Sequence, residues 1–342
     1  MTVSFGLINA IGLLAATAIA TAVLIWLLLP LLQRYALARP NARSSHSIPT
    51  PQGGGVAVVI VIAAVIAACA ALDVPAFREP WVTGVLLALG ALSVAGVIDD
   101  IKPLPVLPRL VLQVAVASLL VMTVPGEKRV LGMIPAAAEA ALLVVGLVWF
   151  INLTNFMDGI DGMTVVEVVP IAATLAVLGV FAIVPALAQL LPVVLTLSGA
   201  MIGFAPYNRH VAALFLGDVG SLPIGALTGW LLIVLAGAGH LHAALILPLY
   251  YLADATITLW RRWRRGERLS QAHRSHFYQL AVQRGFSAPE VAARVLALNA
   301  ALGVLAVISV VTRQAMVAHL CLAVGVAATL AVLWEFEKGR RG

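Results

Sequence analysis

Residues 136–162 read AAAEAALLVVGLVWFINLTNFMDGIDG, a long apolar run that ends in a short polar one. The apolar part predicts a helix that crosses a bilayer. The polar part, 152–162, places two asparagines and two aspartates between this run and the next apolar run. An aspartate at the bilayer centre costs about 2.5–3.5 kcal/mol on insertion scales, so these side chains must lie at a membrane face or in a watered cavity. Either position indicates a functional site.

The composition of the whole chain indicates the fold class. Of its 342 residues, 62% are hydrophobic and only 11% are charged, and the mean hydropathy is +1.05. No soluble domain needs so much apolar surface, which predicts an all-α polytopic membrane protein. The net charge of +6 reflects arginine-rich loops, and we expect no nucleic-acid partner. Cys69 and Cys321 both lie in apolar runs, so we expect neither a disulfide nor a cysteine metal site.

The apolar segments predict about eleven transmembrane helices in a single domain, 1–342. They cover 5–33, 53–72, 81–98, 109–125, 136–151, 163–184, 187–204, 219–236, 241–260, 289–311 and 314–334. Proline falls inside some of them, at 170, 192 and 248, where a bundle tolerates it as a kink. The first segment is too long for a signal-peptide core, and we expect a retained helix. We expect the active-site loops at 34–52, 99–108, 152–162, 205–218 and 261–288.

Lysine and arginine set the predicted orientation. Most of the 21 Lys and Arg residues fall on the side of the membrane that carries these five loops. Because positive charge stays inside, this side is predicted to be cytoplasmic, with a periplasmic N-terminus and a cytoplasmic C-terminus. Most of the acidic residues fall on the same side. The sequence therefore predicts that the chemistry is cytoplasmic.

The first two of these loops carry groups suited to phosphate. Residues 40–55 read PNARSSHSIPTPQGGG, in which Arg43 and His46 are donors and three glycines let the backbone approach an anion. A turn-rich linker is the alternative. The adjacent carboxylates of Asp99 and Asp100 repel each other unless a cation shares them, which favours phosphate and Mg²⁺ chemistry over a helix end that faces water. Two basic residues follow them, Lys102 and Arg109.

The stretch 152–162 predicts a magnesium site, and the segment FLGDVGS at 215–221 predicts an anion-binding helix N-terminus. Asparagine and aspartate oxygens are hard ligands, and Mg²⁺ takes few protein groups when substrate phosphates complete its shell. The glycines of the second segment, with Ser221, favour an anion at a helix N-terminus. An Asx-turn linker at 152–162 and a simple helix cap at Asp218 are the alternatives.

The last loop is basic and contains two histidines. His273 and His276 lie three residues apart in HRSHFYQ, so one helical face can present both. A zinc pair would need a third soft ligand, so phosphate donors are the preferred interpretation. Most of the arginine run at 261–268 is interpreted as topological anchoring. Asp254, about two turns before Arg261, is an intramembrane acid and a candidate for a structural or active-site ion pair.

Together these clusters predict Mg²⁺-dependent chemistry on phosphates, with one substrate from the cytoplasm and one from the bilayer. Two other classes stay open. An intramembrane aspartyl protease would use Asp99 and Asp218, although Phe215 replaces the first glycine of its usual GxGD pattern. A lipid or ion transporter would place its binding groups near the midplane, often within repeats.

Five motifs in this order resemble those of the polyprenyl-phosphate N-acetylhexosamine-1-phosphate transferase family, of the MraY and WecA type (glycosyltransferase 4). The resemblance covers nearly the whole chain and includes the first loop, the paired aspartates, the DGIDG segment and a GD-x-GS turn at 217–221. It implies transfer of N-acetylhexosamine 1-phosphate from a UDP-sugar to undecaprenyl phosphate, with release of UMP. The implied location is the bacterial inner membrane, among membrane lipids, and a homodimer is left open.

The resemblance also implies residue roles. Asn155 and Asp218 would hold Mg²⁺, with Mn²⁺ as a substitute, against the donor diphosphate. Asp99 would orient or deprotonate the lipid phosphate, with Asp100 beside it. Direct attack by the lipid phosphate is the preferred mechanism, and a covalent aspartyl route stays open. The nucleotide pocket, the diphosphate and the sugar would be bound by Arg43, His46, Lys102, Arg109, Asn152, Asp158, Asp161, His273, Arg274 and His276.

One departure from the family pattern concerns the branch. The peptidoglycan branch carries three consecutive histidines in the last loop, whereas this chain has His273-Arg-Ser-His276. That segment resembles the branch that initiates O-antigen, in lipopolysaccharide or other surface polysaccharide synthesis. A muramyl-pentapeptide substrate is not expected. N-acetylglucosamine is the default sugar, with N-acetylfucosamine and N-acetylquinovosamine as rivals.

Overall fold

The computed structural model describes residues 6–38, 49–125, 129–268 and 273–340. Within these ranges the chain forms fourteen α-helices, a short 3-10 helix at Pro75–Arg78 and one antiparallel hairpin of two strands. The strands are β1 (Leu37–Ala38) and β2 (Thr50–Pro51). The helices are α1 (Leu7–Tyr35), α2 (Gly55–Ala71), α3 (Trp81–Ile101), α4 (Val106–Met122), α5 (Ala136–Met157), α6 (Met163–Val180), α7 (Pro185–Gln189), α8 (Leu191–Asn208), α9 (Asp218–Gly237), α10 (Leu241–Ile246), α11 (Leu249–Arg264), α12 (Phe277–Gln283), α13 (Ala288–Val311) and α14 (Ala315–Lys338).

The helices confirm an all-α polytopic membrane protein. In the described part of the chain, eight helices are long and apolar enough to cross a membrane: α1, α3, α5, α6, α8, α9, α13 and α14. Two shorter apolar helices, α2 and α4, accompany them. Large apolar side chains such as Ile8, Trp26 and Trp334 are exposed on the outer helices, as lipid contact would require.

One predicted span is not continuous. The segment predicted at 241–260 forms two helices, α10 and α11, which are separated at Leu247 and Pro248. Pro248 has no backbone N–H to donate, and its ring clashes with the preceding turn, so the helix breaks there and does not simply kink. The expectation of a kinked but continuous helix is therefore wrong at this position. Pro170 does lie inside α6, and Pro192 lies in the first turn of α8, where a missing N–H costs nothing.

Helix α9 lies at the centre of the molecule. Of the 18 most apolar consecutive residues of α9, 94% are buried, whereas the corresponding share in α1 is 17%. Helix α9 is therefore surrounded by protein, and α1 is peripheral. Helix α9 packs against α2, α3 and α5. The approach to α2 depends on two glycines, because a Cβ at Gly55 would lie 2.2 Å from the Cα of Gly220. This close packing brings the first turn of α9 next to the first turn of α2.

Candidate active site

The last turn of α5 meets the first turn of α9. Asn155 Nδ2 donates to Asp218 Oδ1 at 2.6 Å and lies 2.9 Å from Ser221 Oγ. Asn155 and Asp218 are 63 residues apart in the sequence. The two residues to which the family resemblance gives a metal role therefore share one site.

Asp99, in the last turn of α3, brings a second carboxylate to this site. Its side chain interacts with that of Asp218. Its own oxygens accept from the backbone N–H of Leu104 at 2.5 Å and from Arg109 Nη1 at 3.1 Å. Two carboxylates this close repel each other unless they share a proton or a cation. Arg109 balances part of the charge, and the pair still favours a cation.

Asp100 lies in the same site and caps α9. Its two carboxylate oxygens accept from the backbone N–H groups of Asp218 and Val219, at 3.0 and 3.2 Å. These are first-turn donors that have no partner within the helix, and the helix dipole favours an acid there. The carbonyl of Asp100 accepts from Gln52 Nε2 at 3.1 Å. Asp99 and Asp100 therefore have different contacts, although they are adjacent.

The end of the first loop is bonded to the chain just before α9. Phe215 N–H donates to the carbonyl of Pro51 at 2.8 Å, and its carbonyl accepts from Gly53 and Gly54 at 3.1 and 2.9 Å. Gly53 has a φ of +107°, a conformation that side-chain-bearing residues rarely adopt. The glycine run thus serves close backbone pairing. The predicted phosphate donors of this loop, Arg43 and His46, lie outside the described residues.

The stretch after α5 contains two carboxylates with different partners. Asp158 Oδ1 accepts from Thr164 Oγ1 at 2.5 Å, and burial raises the pKa of Asp158 to about 7, with the nearby carboxylates of Asp100 and Asp161 adding to the rise. The Asp161 side chain is fully buried. It accepts from the backbone N–H of Ala212 and is 2.8 Å from His210 Nδ1. Asp161 therefore holds the 209–213 segment in place.

Two further predicted substrate-binding residues occupy different surroundings. Asn152 Nδ2 donates to Gln113 Oε1 at 2.7 Å, which links α5 to α4. Gln113 is buried within α4, one turn after Arg109, and was not identified from the sequence. A polar side chain inside an apolar span was the signal that could have identified it. Lys102 is exposed at the end of α3.

The last loop reaches the end of α5 through α12. Tyr278 Oη donates to the carbonyl of Phe156 at 3.0 Å. Gly159 allows this contact, because a Cβ there would lie 2.0 Å from Tyr278 Oη. His276 is buried, and its ring centroid lies 4.9 Å from that of His273. Arg274 is exposed, and its carbonyl accepts from Gln283.

The donor set fits Mg²⁺. Asp218, Asp99 and Asn155 offer hard oxygen atoms, and the amide of Asn155 can present either its oxygen or its nitrogen. In the described ranges, no group of three or more His, Cys, Asp and Glu side chains forms a closed metal site. Mg²⁺ keeps several waters and uses one or two carboxylates beside substrate phosphates, so an open site suits it. These three residues would hold the ion, and substrate phosphates would complete its shell.

Comparison with known proteins gives one family. Residues 82–236 match the model of glycosyl transferase family 4, a range that runs from α3 almost to the end of α9 and includes Asp99, Asn155 and Asp218. The chain is 29% identical over 287 residues to a decaprenyl-phosphate N-acetylglucosaminephosphotransferase of Mycolicibacterium smegmatis, covering 74% of this chain and 70% of that one. It is 27% identical over 262 residues to a probable undecaprenyl-phosphate N-acetylglucosaminyl 1-phosphate transferase of Bacillus subtilis, covering 74% and 71%. A shorter match of 95 residues, 33% identical, relates it to a phospho-N-acetylmuramoyl-pentapeptide-transferase of Moorella thermoacetica, covering 28% of each chain.

Proposed function

The chain belongs to the polyprenyl-phosphate N-acetylhexosamine-1-phosphate transferase family, and from this premise we propose that it transfers N-acetylhexosamine 1-phosphate from a UDP-sugar to undecaprenyl phosphate. The contact of Asn155 with Asp218, beside the carboxylate of Asp99, carries the proposal. It supports a site at the ends of three membrane helices, where a lipid phosphate and a water-soluble nucleotide can both arrive.

The proposed reaction is a direct displacement at phosphorus. An oxygen of the lipid phosphate attacks the phosphorus that bears the sugar, and a new P–O bond forms. The bond from that phosphorus to the bridging oxygen breaks, and UMP leaves with the electron pair. When bound, Mg²⁺ neutralises charge on the diphosphate. Mn²⁺ is proposed as its substitute.

Asp99 is proposed as the residue that orients or deprotonates the lipid phosphate. Arg109 Nη1 lies 3.1 Å from Asp99 Oδ2, which fixes that carboxylate and offers a cation to an incoming phosphate. Asp100 is proposed to act on Asp218 by holding the first turn of α9. A covalent route through an aspartate would need the same carboxylate to attack the donor, and trapping a phosphoryl-enzyme intermediate would favour it.

The remaining predicted residues are proposed to bind the donor. Asp158 and Asp161 shape the nucleotide pocket, since both lie in the short connection between α5 and α6 that follows Asn155. His273, Arg274 and His276 face the diphosphate or the sugar. The others in this group, which contact either substrate, are Arg43, His46, Lys102, Arg109 and Asn152.

The proposed donor is UDP-N-acetylglucosamine. The names of the Mycolicibacterium and Bacillus relatives both specify N-acetylglucosamine, which supports this sugar. N-acetylfucosamine and N-acetylquinovosamine remain its rivals. The product, an undecaprenyl-diphosphate-sugar, would initiate O-antigen or another surface polysaccharide.

We propose that the site faces the cytoplasm in a bacterial inner membrane. The excess of lysine and arginine on the side of the active-site loops supports this orientation, with the N-terminus periplasmic and the C-terminus cytoplasmic. A count of about eleven crossings would require the broken pair α10 and α11 to cross together. Cysteine accessibility at the two termini of the full-length protein tests the orientation. A homodimer remains a prediction.

An aspartyl protease is the second candidate, because the adjacent side chains of Asp99 and Asp218 are what that chemistry also requires. Divalent-cation dependence separates the two. Chelation should abolish UMP release by a transferase, whereas an aspartyl protease would keep cleaving a membrane peptide.

The experiment is a turnover assay on the purified full-length protein. Undecaprenyl phosphate and Mg²⁺ are incubated with UDP-linked N-acetylglucosamine, N-acetylgalactosamine, N-acetylfucosamine, N-acetylquinovosamine or muramyl pentapeptide, and released UMP is measured. We expect release with an N-acetylhexosamine donor and none without the lipid. Asp218→Asn is the matched inactive control. Absence of UMP with every donor would refute the proposed function.

A further inference from the structure

His276 has one ring nitrogen with a partner and one without. Nδ1 lies 3.0 Å from Asp254 Oδ1, and the residue is 1% exposed. Nε2 is buried and has no hydrogen-bond partner among the described residues. A buried polar atom left unpaired costs free energy, and in a native protein it calls for an explanation.

Asp254 holds the ring from the interior of α11. Its carboxylate also accepts from the backbone N–H groups of Phe277 and Tyr278, at 3.1 and 3.2 Å, and from the hydroxyls of Tyr250 and Thr258, both at 3.3 Å. Asp254 is 0% exposed. One buried acid thus caps α12 and fixes the orientation of the imidazole at the same time.

The imidazole lies next to the metal-binding end of α5. Its ring centroid is 6.5 Å from that of Phe156, the residue that follows Asn155. Tyr278, stacked on the same imidazole at 5.7 Å, bonds to the Phe156 carbonyl. The imidazole that carries the unpaired Nε2 therefore lies near the residue that follows Asn155, at the end of α5 where the donor diphosphate is proposed to bind.

We propose that Asp254 is a positioning residue that holds His276 so that Nε2 binds the diphosphate of the nucleotide-sugar donor. This inference rests on the proposed function. The buried Asp254 carboxylate accepts from Nδ1–H of His276 at 3.0 Å and so fixes the orientation of the ring. Nε2–H then donates to an oxygen of the diphosphate, and the bond to this anionic acceptor is charge-assisted.

The competing explanation is that Asp254 only caps α12. Glu139 provides a matched control, because it is also a buried acid (1% exposed) that accepts from two backbone N–H groups, Val130 and Leu131, and pairs with the basic side chain of Arg129. It lies at the opposite end of α5 from Asn155, about 24 Å away at the rise of an α-helix. Glu139→Gln should reduce thermal stability and leave donor binding unchanged.

The test is a double-mutant cycle on the full-length protein. Variants Asp254→Asn, His276→Ala and the double variant are compared with the wild type. The KM for the UDP-N-acetylhexosamine and the calorimetric Kd without lipid acceptor are measured. We expect Asp254→Asn and His276→Ala each to raise both constants about tenfold, with a smaller change in kcat. In the His276→Ala background, Asp254→Asn should add less than about twofold, because the two residues act as one unit.

Two results would overturn the inference. One is an Asp254→Asn variant that loses stability as Glu139→Gln does and keeps wild-type KM and Kd. The other is a pair of effects that multiply in the double variant, since this would mean that Asp254 acts without His276. If the wild type releases UMP in either case, the proposed function stands and only the role of Asp254 fails.

A second measurement needs no Asp254 variant. In the wild type labelled with ¹⁵N-histidine, the His276 signals are assigned by their loss in His276→Gln. Saturation with the UDP-sugar should shift Nε2 and leave Nδ1 nearly unchanged. An Nε2 signal that does not respond to a saturating donor would refute the inference.

Discussion

The neighbouring residues Asp99 and Asp100 should give different phenotypes when each is changed to alanine: Asp100→Ala should mainly lower stability, and Asp99→Ala should mainly lower turnover. Asp100 accepts two backbone N–H bonds from the first turn of α9, at 3.0 and 3.2 Å. Loss of a helix N-cap costs about 0.5–2 kcal/mol, and a bond to a charged group is worth about 1.5–3 kcal/mol. Since Asp100 is only half-buried, so that water replaces part of the loss, we expect Asp100→Ala to reduce the free energy of unfolding by about 2–3 kcal/mol.

Asp99→Ala should reduce stability less than Asp100→Ala does. It removes one bond from the backbone N–H of Leu104 and an ion pair with Arg109, but it also relieves the repulsion with Asp218, so the net loss should stay near about 1 kcal/mol. Its effect should fall on turnover, because the loss of a residue that orients or deprotonates a substrate costs about 10²-fold or more in kcat.

Detergent-solubilised variants are compared by thermal unfolding and by UMP release. Asp100→Asn is the matched control, because its carboxamide oxygen can still accept one of the two backbone bonds and should restore part of the stability. Equal stability loss in Asp99→Ala and Asp100→Ala would refute this division of roles. So would an Asp99→Ala variant with near-normal kcat.

Three other perturbations test separate parts of the site. Chelation of divalent cations should reduce UMP release to background, and Mg²⁺ should restore it; release that persists in excess chelator would contradict a metal role for Asn155. The pKa of Asp158 is raised from 3.8 to about 7, so the folded state binds its proton more tightly, and this residue makes the protein less stable as the pH rises from about 4 to about 7. Asp158→Asn should remove that slope from the pH dependence of Tm, and an unchanged slope would count against it. Gly159→Ala should displace α12 and raise the KM for the donor, because the new Cβ would lie 2.0 Å from Tyr278 Oη. Adding Tyr278→Phe to this variant should relieve part of the effect. Wild-type kinetics in Gly159→Ala would be inconsistent with the described contact.

Hydropathy and charge were sufficient to predict the fold class, and together with the family resemblance they predicted that two distant polar segments meet. Apolar runs of membrane length can only be helices, and acids between such runs must collect where water is present. Asn155 and Asp218 were predicted to share a site for this reason, together with the family resemblance, and the structure brings them together.

Long-range contacts explain what the sequence could not predict. Nothing local distinguishes Asp99 from Asp100, because their roles depend on which of them faces the first turn of α9, more than a hundred residues later. Asp254 was recognised as an intramembrane acid, yet its partner His276 lies 22 residues further along the chain. The break at Pro248 depended on whether neighbouring helices would support a kinked turn, which a single sequence does not show.

The backbone bonds between Pro51–Gly54 and Phe215 have a consequence for inhibition. They join the end of the first loop directly to the chain that precedes α9, so we expect the proposed nucleotide site to be pre-organised. A ligand that meets such a site loses little affinity to the ordering of loops. Rigid diphosphate mimics should therefore bind with most of their intrinsic affinity. A further tether between Pro51–Gly54 and Phe215 should improve the binding of these mimics only slightly.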